Sequence, residues 1–240
     1  MKILSLRRGF TSDHSSTSYE FLAVDKSLTR EARDRVRSLS SRVRPTRRRA
    51  HFIYHAEGYD IPGGWEPLMR DYYDVMYSES YDWWTLAMAF DAPEKQREEI
   101  ARYGFYGVDD LGVRVSTHGS RVIVTIHCRL EAGAVGCLLG EEYAGDWDED
   151  GEDDGEAGFG TDNALLHLLT EIRAQLIDRD YRALYAVWEL YGCDVEGEDE
   201  QDEGELERPP VPPKKRTGKK VVEELRAMLE TAYECAAHRA

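Results

Sequence analysis

Apolar positions alternate with polar ones through the first half of the chain and recur every three or four residues through the second. Tyr19 to Val24 alternates in the manner of a half-buried strand. Asp25 to Thr29 reads as a turn, with Thr29 an N-cap for a helix over 30–39. That helix has few apolar positions (Ala32, Val36, Leu39), which places it on the surface of a sheet. His51 to His55 reads as a second strand and Ile61-Pro62-Gly63-Gly64 as a turn. Trp65, Leu68, Met69 and Tyr72 share one helical face. Asp74 to Tyr77 and Trp83 to Phe90 are strands, the latter apolar on both faces and therefore central. Pro93 sits near the first position of a polar helix reaching about Tyr103. Leu111 to Ser116 and Arg121 to Leu130 alternate around Thr117-His118-Gly119-Ser120, which predicts a β-hairpin.

Beyond residue 160 the period is helical. Leu165, Leu168, Leu169, Ile172 and Leu176 form one stripe; Tyr181, Leu184, Tyr185 and Trp188 form a second, stopped by Gly192. A last helix from about Lys219 carries Val222, Leu225, Leu229, Ala232, Tyr233 and Ala236. The expected class is α+β: a mixed or antiparallel sheet of about six strands with three helices, then a small helical part. The corresponding divisions are a sheet domain over 1–140, an acidic disordered linker over 141–160 and a helical pair over 161–192. An acidic, Pro-rich linker over 193–216 and a C-terminal helix over 217–240 complete them. The helices have two ways to cover their apolar stripes: a bundle of their own, or the sheet.

Charge changes this picture. The net charge is −16, yet 141–156 holds ten acidic residues and 194–207 holds nine, neither with any Lys or Arg. Everything else carries 28 acidic against 31 basic groups. One-sign blocks of low hydrophobicity bury too little surface to offset ordering entropy. The second block runs into Arg208-Pro209-Pro210-Val211-Pro212-Pro213, a stiff extended sequence. Residues 1–60 carry 13 Lys and Arg against 7 acidic residues, densest at Arg42, Arg44, Arg47, Arg48 and Arg49.

The longest apolar runs, such as Leu86 to Phe90, fall well short of the ~20 residues that span a bilayer. The N-terminus turns charged at Arg7 and Arg8, too early for a signal peptide. No membrane association and a cytoplasmic location are expected. Cys128, Cys137, Cys193 and Cys235 show neither paired spacing nor a disulfide framework, so no metal and no cofactor is expected.

Several clusters bear chemistry. Thr11 to Ser18 puts Ser, Asp and His side by side, but a triad is assembled in space, and a polar turn accounts for the run. His51 and His55, four apart on a strand, lie about 13 Å apart, too far to share an ion. Asp60, Asp71, Asp74, Glu79 and Asp82 surround them and offer paired carboxylates for acid–base work; solvated strand ends are the plainer explanation. Trp65, Tyr72, Tyr73, Tyr77, Tyr81, Trp83 and Trp84 fall within twenty residues. A core seam explains most of them. Trp83 and Trp84 point to opposite faces of their strand, so either both faces are covered or one ring is exposed.

Segments in order along most of the chain resemble a family of uncharacterised bacterial proteins. They are Leu39 to Thr46 (Leu-Ser-Ser-Arg, then Pro-Thr), Tyr54 to Trp65, Leu68 to Asp74 and the aromatic strand entry Met76 to Trp84. Asp180 to Trp188 (Asp-Tyr-Arg-Ala-Leu-Tyr, then Trp) and Pro209 to Pro213 (Pro-Pro-Val-Pro-Pro) complete the pattern. The chain departs from it at Tyr81-Asp82-Trp83-Trp84, where Asn-Trp-Gly is usual, and at Lys214-Lys215, where Gly-Leu is usual. The resemblance implies a common fold and no activity.

The expectation drawn from the residues is a non-enzymatic interaction or adaptor protein. Its protein partner would be bound by Trp65, Tyr77, Tyr81, Trp83 and Trp84. One alternative is nucleic-acid binding through Arg42, Arg44, Arg47, Arg48 and Arg49, with the acidic blocks as internal competitors. Another is an enzyme with a His and carboxylate site near 51–82.

Overall fold

In a computed structural model, residues 17–41, 43–54, 60–80, 83–130, 164–192, 207–215 and 217–237 are described, with backbone alone at 108 and 231–237. Seven antiparallel strands form one sheet in the order β2-β1-β3-β4-β7-β6-β5. They are β1 (Thr17–Leu22), β2 (Arg49–Tyr54), β3 (Val75–Ser80), β4 (Trp83–Asp91), β5 (Phe105–Tyr106), β6 (Gly112–His118) and β7 (Arg121–Arg129). The helices are α1 (Arg30–Arg37), α2 (Glu66–Asp71), α3 (Glu94–Ala101), α4 (Ala164–Ile177), α5 (Arg182–Tyr191) and α6 (Lys219–Ala237). The chain is α+β, as its periodicity predicts, and the sheet is antiparallel throughout.

The seventh strand is β5, two residues long and too short for any alternation to show. The hairpin is tighter than the expected four-residue loop. His118 pairs with Arg121, leaving a two-residue turn that opens on Gly119 at φ +65°, the position where such turns place glycine. Thr29 caps α1, its hydroxyl oxygen accepting from Ala32 N at 3.2 Å.

Strand β4 is fourth of seven and buries Leu86 to Phe90 on both faces. On one face, Phe21, Phe52, Met76 and Ala87 pack under Val36 of α1 and Leu68 and Met69 of α2. On the other, Leu86, Met88, Val122, Val124 and Ile126 share a core with the stripes of α4 and α5 and with Leu225 and Leu229 of α6. The C-terminal helices thus take the second of their two options and cover the sheet. We call these the α1 face and the α4 face.

One buried carboxylate fastens both layers. Asp74 lies between α2 and β3, 5% exposed. Its Oδ2 accepts from the backbone N of Val24 (2.7 Å) and Asp25 (2.9 Å), and its Oδ1 from Arg121 at 2.9 Å. Arg121 also donates to the carbonyls of Met69 (2.9 Å) and Tyr73 (2.6 Å). Arg173 of α4, itself buried, donates to Ala89 O at 2.7 Å, pairs with both oxygens of Asp25 and approaches Asp74 at 3.6 Å. A buried carboxylate is tolerated when donors surround it in this way.

Candidate protein-interaction face

Strand alternation puts Thr17, Ser80, Trp83 and Arg129 in one row across the α1 face, since Thr17 pairs with Ser80, Ser80 with Trp83 and Trp83 with Arg129. The next row holds Tyr19, Ser78, Thr85 and His127. Small hydroxyl residues form the floor, and Thr17 Oγ1 donates to Ser80 Oγ at 3.2 Å. Asp60, ahead of α2, accepts from the Tyr19 hydroxyl at 2.7 Å and from Ile61 N at 2.6 Å. Glu66 of α2 reaches Arg114 of β6 at 3.0 Å.

Trp83 is 40% exposed, and the Arg129 guanidinium lies 4.9 Å from the centre of its ring. Asp109 stands 3.7 Å from that guanidinium. Cation and ring are therefore presented together rather than as two loose side chains. His127 is half-buried; burial and then the Arg114 charge push its pKa down, against a weaker pull from Asp110 and Glu66. Its imidazole is neutral at neutral pH, able to donate from one nitrogen and accept at the other.

The aromatic cluster divides. Trp84 turns to the α4 face, stacks on Tyr77 at 5.8 Å and donates from Nε1 to Leu130 O at 3.1 Å. Tyr77 and Trp84 are core; Trp65 is half-buried against the other cluster. Of the four tryptophans among the described residues, only Trp83 is exposed. Tyr81 and Arg42 lie outside the described residues, as do His55, Asp82, Thr11 to Ser16 and the two acidic blocks up to residue 206.

The His and carboxylate residues are dispersed. His51 sits on edge strand β2 on the α4 side, its Nε2 3.6 Å from the buried Glu20. Asp60 is held by Tyr19, Asp71 by Arg70 at 2.7 Å, and Asp74 by the network already described. Among the described residues no group of three His, Cys, Asp or Glu is placed to hold a metal ion, and no helix is long and apolar enough to cross a membrane. Within the arginine run, Arg44 and Arg47 are exposed, while Arg48 donates to Ala23 O at 2.9 Å and Val24 O at 2.8 Å.

Sequence reasoning missed Arg129, His127 and the hydroxyl floor. The signal for them was present. In β7 the residues of one parity are Val122, Val124, Ile126 and Cys128; the other parity gives Arg121, Ile123, Thr125, His127 and Arg129, apolar at one position of five, the pattern of a face left partly open. No family model matches this chain, and neither does any curated protein or solved structure.

Proposed function

We propose that this chain is a non-enzymatic protein-interaction protein, an adaptor of the bacterial cytoplasm, that grips a protein partner at Trp83 and Arg129. The carrying observation is the exposed Trp83 ring under a guanidinium, at the edge of a hydroxyl-floored sheet face. Tryptophan and arginine are enriched at binding hot spots, where a large ring or a charged donor is desolvated in a well-packed site. Trp83 belongs to neither core cluster, so Trp83→Ala should leave the thermal midpoint nearly unchanged. It should weaken partner binding by about 2 kcal/mol, roughly thirtyfold. Affinity capture from the native host, run in parallel with wild type and Trp83→Ala, reads this out. A partner retained equally by both proteins would sink the reading.

A second reading, nucleic-acid binding, has its own observation. Leu28 N donates to Arg47 O and Ala23 N to Arg48 O, both at 2.7 Å, so the arginine connector is locked beside the start of α1. Exposed Lys26 and Arg30 thereby join exposed Arg44 and Arg47 on one edge. Binding there would fall steeply with salt and rise when 141–156 and 194–207 are removed. A flat salt titration counts against it.

A further inference from the structure

The segment 207–215 crosses the outer side of α5 and fills an aromatic groove. Tyr103, just past α3, and Tyr181, at the start of α5, have ring centres 5.1 Å apart; Tyr185 and Trp188 of α5 are 5.8 Å apart. Arg208 donates from Nε to the Tyr185 hydroxyl at 3.1 Å, with a second, shorter bond from its terminal nitrogen. Its guanidinium lies 5.3 Å from the Trp188 ring and 5.8 Å from the Tyr185 ring. Pro209 is buried, and the Tyr103 hydroxyl donates to Pro210 O at 2.9 Å. Arg208, Val211 and Lys214, at three-residue spacing, are exposed, as is Pro213, while Pro210 and Pro212 are half-buried. A three-residue period is that of a polyproline helix.

These contacts supply what proline-rich recognition requires. Aromatic rings line the site, a tyrosine hydroxyl meets a backbone carbonyl of the proline run, and ring faces receive the flanking arginine. We propose that the groove of Tyr103, Tyr181, Tyr185 and Trp188 is a recognition site for an arginine-flanked proline-rich segment of another protein, and that Arg208 to Pro212 occupies it in cis. The sequence of the strap defines the ligand chemistry: Arg-Pro-Pro-x-Pro. The site lies on the α4 side and is independent of Trp83. A tethered occupant competes at an effective concentration on the order of millimolar, so the wild-type groove is closed to weak ligands and opens when the strap is loosened.

The test uses the full chain and the synthetic peptide Gly-Arg-Pro-Pro-Val-Pro-Pro-Gly, read by calorimetry. Arg208→Ala with Pro209→Ala should bind the peptide at least about tenfold more tightly than wild type. Adding Tyr103→Phe, which removes the donor to Pro210 O and keeps the ring, should lower that affinity several-fold. Equal affinity of the double variant and wild type would overturn the proposal, as would binding that ignores Tyr103→Phe. Because the double variant also loses packing, wild type at millimolar peptide is followed by the amide NMR shifts of Val211, Lys214 and Lys215. Movement of these shifts to random-coil values is expected. Unchanged shifts at saturating peptide, or release of the strap only through pairing of two copies of this chain, refutes it.

Discussion

Tyr73 shows how little a single residue's identity reveals about its cost. Its ring is fully buried and meets Phe21 at 5.1 Å, the packing that an aromatic residue at the end of a helix face supplies. Its hydroxyl is buried too and has no hydrogen-bond partner among the described residues, and burial alone pushes its pKa up. A buried hydroxyl without a partner loses its water and gains nothing. Tyr73→Phe keeps the ring and removes the orphan, so it should raise stability by about 1 kcal/mol in urea denaturation; a loss of that size would show that the hydroxyl has a role. The aromatic spacing around Trp65 to Trp84 was readable at this scale, and so was the opposite facing of Trp83 and Trp84. Which of the two rings would be exposed was not. That depended on α4, α5 and α6, more than eighty residues further on, choosing the Trp84 side of the sheet.

Elements were more legible than the contacts between them. Period-two and period-3.6 patterns placed every strand but β5 and every helix, because each pattern records which side of an element meets the core. Nothing periodic marks Arg173. It stands inside the apolar run of α4, and its partner Asp25 lies 148 residues away. A buried arginine on a core-facing stripe is expected to be paired, but the sequence holds 47 acidic residues and no local rule selects one. Arg173 ties α4 to the β1–α1 turn and to the β4 backbone, so it does for two elements what a cap does for one. Arg173→Met should cost about 2–3 kcal/mol, the range for a buried charged hydrogen-bond donor. Asp25→Asn, at a largely exposed partner, should cost under about 1 kcal/mol. Urea midpoints of the two variants decide this, and equal losses would mean that Arg173 contributes no more than a surface ion pair.

At the scale of the whole molecule, the sequence's charge and the structure's buried charges govern different things. The two acidic blocks carry more negative charge than the net −16 of the chain, whereas the response of folding to pH follows groups that the fold has moved from their ordinary pKa. His127 is one. Burial and Arg114 hold its pKa below the ordinary 6.5, so the folded protein binds fewer protons there than the unfolded chain. Its share of stability is present above about pH 6.5 and is lost as the pH falls through the depressed folded value. Asp180 is another. Burial alone would raise its pKa, but the donors of Arg182 outweigh it and hold the carboxyl below 3.8. Arg182 spans Asp180 at 2.7 Å, Lys215 O at 2.9 Å and Thr217 O at 2.5 Å, so this pair joins α5 to the chain entering α6. Stability should therefore decline in two stages on acidification. The first begins near pH 6.5 and should vanish in His127→Gln. The second begins near pH 3.8 and should persist there, because it reports carboxylates held low by their donors, Asp180 by Arg182 and Asp71 by Arg70. Urea midpoints from pH 8 to pH 3 for both proteins separate the stages. A first stage unchanged in His127→Gln would assign it to another histidine and leave the half-buried imidazole on the Trp83 face without a part in folding.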